Sequence, residues 1–249
     1  LGVEEVSILE MLVESFVTGV HTFDFDAHIK GWATFGIPLD GAFQLFTGLF
    51  IAIFATLIAT TLGTLAAVGL SRPQMPYRKP IMALLISPLI VPIIIIAAGM
   101  FFFYSHIGLA YTHLGVILAH AVMGTPYVVI TVTATLIGFD ETLIRASGSL
   151  GAKPLRTFFR VIMPLITPGV ISGALFAFIT SFDEVVLIYF LADAEQKTIP
   201  IQMWSGLRQQ ISPSILAVAT MLVTFSVILL IAVELLRRRS ERLRTQVIS

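Results

Sequence analysis

The 249-residue chain contains no cysteine. That removes structural disulfides, cysteine metal sites and thiol catalysis together. Charge is scarce: 12% of residues are charged, and 15 basic residues balance 15 acidic ones. No net field is left to attract nucleic acid. The G-x-x-x-x-G-K-[ST] phosphate loop does not occur, so the chain offers no nucleotide site of that kind. The G-x-S-x-G elbow is missing too, as is a basic-then-apolar signal at the start, which is Leu1 rather than Met. What fills the sequence is apolar. At 57% hydrophobic the chain carries more apolar surface than a water-soluble domain of this length hides, so lipid is its solvent.

Five stretches reach the roughly 20 apolar residues that a bilayer core requires in helical form: residues 44–70, 81–103, 114–137, 167–191 and 214–236. They lack the polar alternation of barrel strands and are too long for them. No repeat of soluble-solenoid length is evident. The fold class is therefore all-α, a polytopic helical membrane protein. Basic residues set its orientation. Arg72, Arg78 and Lys79 lie in the first connection, Arg145, Lys153, Arg156 and Arg160 in the third, and five arginines from Arg237 to Arg244 follow the last span. The alternate connections hold only Lys197 and Arg208. The basic side is the cytoplasm, with the C-terminus inside.

Five spans place the N-terminal segment outside. That segment is acidic, and its apolar stretch is interrupted by Glu10 and Glu14. An external start without a signal leads to the expectation that a first span preceded Leu1 or is only partly represented. The chain then divides into an external segment (1–43), a transmembrane domain (44–236) with a cytoplasmic loop at 138–166, and a basic tail (237–249).

The loop is the most informative stretch. Gly151 permits a sharp turn, and Pro154 suits the first turn of a new helix. Phe158, Phe159, Val161 and Ile162 supply an apolar face, while Lys153, Arg156 and Arg160 stay wet. Two short helices at an angle follow, with Pro164 and Pro168 punctuating the approach to the next span. On physics alone this equally suits a basic helix resting on lipid head groups.

Residues 145–164 resemble the coupling-loop signature of type I ABC importer permeases, E-A-A-x3-G-x9-I-x-L-P. Ala146, Leu150, Gly151 and Pro164 fit; Val161 and Met163 replace Ile and Leu, Arg145 stands where the signature has Glu, and Ser147 stands for the second Ala. The runs 181–186 (SFDEVV), 211–215 (ISPSI) with Ala217, Ala219 and Thr220, and 136–140 (LIGFD) are similar to the spermidine/putrescine permease subgroup. The likeness covers residues 44–236. It implies the type I permease fold with six spans, a bacterial inner-membrane location, and a loop docking on an ATP-hydrolysing subunit. It also implies an ABC ATPase dimer carrying ATP and Mg, a second permease subunit, and an external solute-binding protein. No cofactor is assigned to this chain.

Asp183 and Glu184 fall within an apolar run, about 6 Å outward of the middle of the 167–191 span at 1.5 Å per residue. A charge at membrane depth costs about 2.5 kcal/mol or more, so a role is the default expectation. Gly169, Gly173, Ala177 and Ser181 recur every fourth residue, a ridge where another helix approaches closely. Glu184 sits near that ridge. Asp183 shares a face with Thr180, Phe176 and Ser172. Asp183 is the candidate for a translocation path and Glu184 for the seam or the path's edge; pairing with a neighbouring helix is the alternative. Carboxylates facing a pore suit a cationic amine, because they replace its lost hydration.

Other features are weaker. His106, His113 and His120 are seven apart, but Gly108 lies between the first two and helical phase need not persist, so no metal is assigned. Pro88, Pro92 and Pro126 interrupt spans as hinges or as kinks satisfied by neighbours. Met203, Trp204 and Arg208 suit a contact with a solute-binding protein or an interfacial aromatic anchor. Two other functions fit parts of the pattern: a proton-coupled transporter using Asp183 and Glu184 as a relay, and an intramembrane hydrolase using Ser181 with a histidine. None of the five histidines lies on the Ser181 span.

Overall fold

The computed structural model describes residues 40–72, 75–137 and 142–209, together with residues 223, 224, 227, 228 and 231. Among these, all regular structure is helical. The expected acidic N-terminal segment, the 214–236 span as a unit and the basic tail lie outside the described residues.

α1 (Asp40–Leu70) is an apolar helix of 31 residues without a proline, and it stops just short of Pro73, whose ring disfavours helix at the residue before it. α2 (Arg78–Ile86), a 3-10 turn (Ser87–Leu89) and α3 (Ile93–Ile107) occupy the stretch expected to be one span. The two arms are bent by 101°. The bend falls at the prolines expected to interrupt that span. Pro88 and Pro92 remove two amide donors four residues apart, and Val91, placed before a proline, is biased away from helix. α4 (His113–Leu136) begins at Thr112, whose hydroxyl accepts the Gly115 amide at 3.0 Å, and it carries Pro126 without ending.

α5 (Thr142–Ser149) and α6 (Pro154–Thr157) are the two short helices expected in the loop. α6 does not stop at Pro164, however. It passes through a π turn (Phe158–Ile162) into α7 (Met163–Phe182), giving an apolar helix of 29 residues from Pro154 to Phe182. The widened turn accommodates a proline that has no amide to donate. The stretch expected as a continuous 167–191 span is interrupted: α7 ends at Phe182, and α8 (Val186–Leu191) starts afresh. A 3-10 turn (Ala194–Gln196) and α9 (Ile199–Gln209) follow.

Small residues hold α1, α4 and α7 together. Gly124 of α4 backs onto Ala59 of α1 and Ala177 of α7, Gly63 of α1 onto Val128, and Gly169 and Gly173 of α7 onto Thr131 and Thr135. The ridge expected from the fourfold spacing is present, and its partner is α4. These pairings make α1 and α4 parallel and α7 antiparallel to both. The end of α1 before Arg72 and the start of α7 after Arg145, Lys153, Arg156 and Arg160 therefore share one end of the bundle. That is the arrangement the basic residues implied. Val128, Val132, Ile166 and Val170 fill the core at that half, and Ile51, Val116, Leu187, Ile188 and Leu191 fill it at the other.

Candidate functional site

At the basic end, α5 closes on a glycine turn. Gly151 has φ 74°, its amide donates to Gly148 O at 2.9 Å, and Ala152 N donates to Ser147 O at 3.1 Å. This pair of bonds is a left-handed helix stop that favours glycine. Across the turn, the Ser147 and Thr157 hydroxyls lie 2.7 Å apart, with Thr157 buried. Ser147, one of the residues that depart from the family signature, thus ties α5 to α6. Arg145, Ala146 and Pro164 are exposed, and Leu150 is 87% exposed. Leu143, Ile144, Leu155 and Phe159 are also exposed, next to Lys153, Arg156 and Arg160. The element offers a mixed apolar and basic surface with a fixed angle in its middle.

At the other end lies the break after Phe182. Asp183 caps α7 with φ −92° and ψ 4°, and it is exposed. Glu184 turns back: its Oε1 accepts the amides of Val186 at 2.7 Å and Leu187 at 3.1 Å. The carboxylate thus satisfies the first orphan donors of α8. A helix break divides the two acids: Asp183 is exposed, and Glu184 is half-buried with its carboxylate on α8. Phe176 is exposed and stacks on Tyr127 of α4, ring centroids 6.2 Å apart and 23° between planes. Thr180 is half-buried between Phe176 and Asp183 along the helix.

Ser181 goes elsewhere. Its Oγ lies 2.8 Å from Nδ1 of His120 on α4, and both residues are buried, at 6% and 2% exposure. Sequence reasoning missed this contact because the partner histidine sits 61 residues away on another helix. A serine–histidine contact is also the start of a nucleophilic dyad. In that chemistry the base's second nitrogen is held by a carboxylate and the serine faces substrate. Here Nε2 of His120 has no hydrogen-bond partner among the described residues, and the pair is sealed inside the helix seam. The other two histidines diverge from it: His106 is exposed, and His113 lies near Gln196 and the Phe50 ring.

Comparison with known proteins fits this geometry. The profile of the family described as binding-protein-dependent transport system inner membrane component matches residues 59–242. The chain belongs to that family. It is a multi-pass inner-membrane transport permease. Among curated proteins it is 29% identical over 190 residues to the spermidine/putrescine transport system permease protein PotC of Haemophilus influenzae, covering 76% of this chain and 74% of that one. It is 32% identical over 206 residues to the putrescine transport system permease protein PotI of Escherichia coli K12, covering 77% and 73%. Among solved structures, the MetNI methionine ABC transporter in an inward-facing form matches with a TM-score of 0.65 at 18% identity, over 79% of this chain and 94% of that one. That likeness establishes the type I permease fold.

Proposed function

We propose that this permease subunit carries a small cationic amine of the polyamine class across the membrane, driven by ATP hydrolysis on a separate ATPase dimer. Mg and ATP belong to that dimer. A second permease subunit completes the path, an external binding protein delivers the solute, and the basic C-terminal tail faces the cytoplasm. The observation that carries the cargo assignment is the exposed Asp183 carboxylate at the α7–α8 break, on a chain whose curated relatives include spermidine and putrescine permeases. A carboxylate at that depth replaces hydration that an ammonium loses on entry. The exposed Leu143, Ile144, Leu150 and Leu155 around the Gly151 turn support the coupling assignment for Arg145, Ala146, Ser147, Leu150, Gly151 and Pro164. The path assignment covers Asp183, Thr180 and Phe176, with Glu184 at its edge; Ser181, expected on the path, is instead turned into the α4–α7 seam.

In the cycle, ATP closes the nucleotide-binding subunits, the hinged α5–α6 element moves with them, and the two permeases rock open outward. Hydrolysis resets the pair. The work comes from the higher affinity of ATP for the closed state. A proton relay through both acids suits the structure less well, because the Glu184 carboxylate is committed to two amides of α8. The test is reconstitution with the partner subunits and a panel of amines. Putrescine or spermidine should raise ATPase activity, and Asp183→Asn should raise the KM for uptake. Stimulation by non-amine solutes alone, with unchanged kinetics for Asp183→Asn, overturns the cargo reading.

A further inference from the structure

The backbone that presents Asp183 is held from both sides. Downstream, Glu184 fixes the first turn of α8. Upstream, Ser181 is two residues before Asp183 and is bound to His120 across the seam. Around it the α4–α7 seam is close-packed, with Gly124 against Ala177 and Gly173 against Val128 and Thr131. A hydrogen bond adds direction to that packing. The Ser181–His120 bond therefore gives the last turn of α7 a directional contact for its register against α4. The stacked Phe176–Tyr127 pair, about two turns below Asp183, joins the same two helices. A small slip of α7 along α4 would therefore move the acid and the aromatic pair together.

We infer that His120 is a positioning residue for transport, acting through Ser181 to set where the Asp183 carboxylate stands. This rests on the proposed path role of Asp183. Because Nδ1 is the nitrogen engaged, the geometry makes a prediction at the level of one atom. An asparagine amide reaches about the position of Nδ1, and a glutamine amide reaches about that of Nε2. Only the former can restore the tie.

The absence of cysteine makes the test direct. Asp183→Cys is introduced into the chain in the reconstituted complex with its partner permease, ATPase and binding protein. The rate at which a membrane-impermeant maleimide labels this chain is then read at equal amounts of assembled complex. His120→Ala and Ser181→Ala are expected to change that rate by about fivefold, the scale of one lost hydrogen bond. His120→Asn should restore it and His120→Gln should not. With Asp183 intact, the KM for putrescine should rise in His120→Ala and recover in His120→Asn. Should His120→Ala fail to assemble, Ser181→Ala, which removes one hydroxyl, carries the same expectation. Labelling within twofold of the parent in both variants, or equal disturbance by Ala, Asn and Gln, overturns the inference and leaves the path reading standing. An Asp183→Cys thiol that never reacts in any background, from either side, overturns the path reading and this inference with it.

Discussion

The Ser147 and Thr157 hydroxyls meet at 2.7 Å across the turn at Gly151, so the angle between α5 and α6 is held by a side-chain bond as well as by backbone. A family-typical alanine at position 147 could not make this bond. Thr157→Val keeps the shape of the buried side chain and removes its hydroxyl. One net hydrogen bond is worth about 1 kcal/mol, so a several-fold loss of coupling is expected. Uptake per ATP hydrolysed should fall in proteoliposomes while the amount of assembled transporter stays constant. An unchanged ratio would remove the Ser147–Thr157 contact from the coupling element.

Gly151 gives a sharper form of the same argument. Its φ of 74° is a region that β-branched residues rarely enter, and a Cβ there meets nothing within 4 Å. The penalty for Gly151→Val is therefore conformational, about 1–2 kcal/mol, with no clash to unfold the bundle. Membrane insertion should survive and uptake should fall, as read by immunoblot alongside transport. Normal uptake would show that the turn need not keep its shape.

The helix seam supplies a comparison within one protein. A methyl on Gly173 would stand 2.7 Å from Val128 Cα, which is backbone and cannot step aside, whereas a methyl on Gly69 meets nothing within 4 Å. Gly173→Ala should lower the midpoint of thermal aggregation of the purified complex, since overpacking typically costs about 1–3 kcal/mol. Gly69→Ala, also helical, should leave it equal or slightly higher, because alanine is the better helix former. Equal midpoints in the two variants would mean that α4 and α7 are not in close contact at this level.

The same contrast shows which parts of the fold the sequence made legible. The Gly169, Gly173, Ala177 and Ser181 ridge was visible because a period of four is a property of the helix itself. The sharp turn at Gly151 was visible because a glycine three residues ahead of Pro154 is local chemistry. The stop after Phe182 was not, since the run 181–186 holds neither proline nor glycine, and the cap that starts α8 is a carboxylate inside that run. The 101° bend at residues 87–92 exceeded an ordinary proline kink because two prolines act within four residues. The His120–Ser181 tie depends on the register of two helices joined through 61 residues, and no local pattern encodes that.

Glu184 allows charge and capping to be separated. Its carboxylate accepts from Val186 N and Leu187 N, a role that a neutral amide oxygen can also fill. Glu184→Gln should therefore retain most of the stability and transport of the parent, losing only the stronger, charge-assisted part of each bond. Glu184→Ala leaves both amides of α8 unserved and should destabilise the break by about 1–2 kcal/mol. Thermal aggregation midpoints and uptake of putrescine, measured for both variants beside Asp183→Asn, give the answer. If Glu184→Gln lowers uptake as far as Asp183→Asn does while its midpoint is unchanged, the charge of Glu184 acts on the solute. The division of labour between the two acids would then be withdrawn.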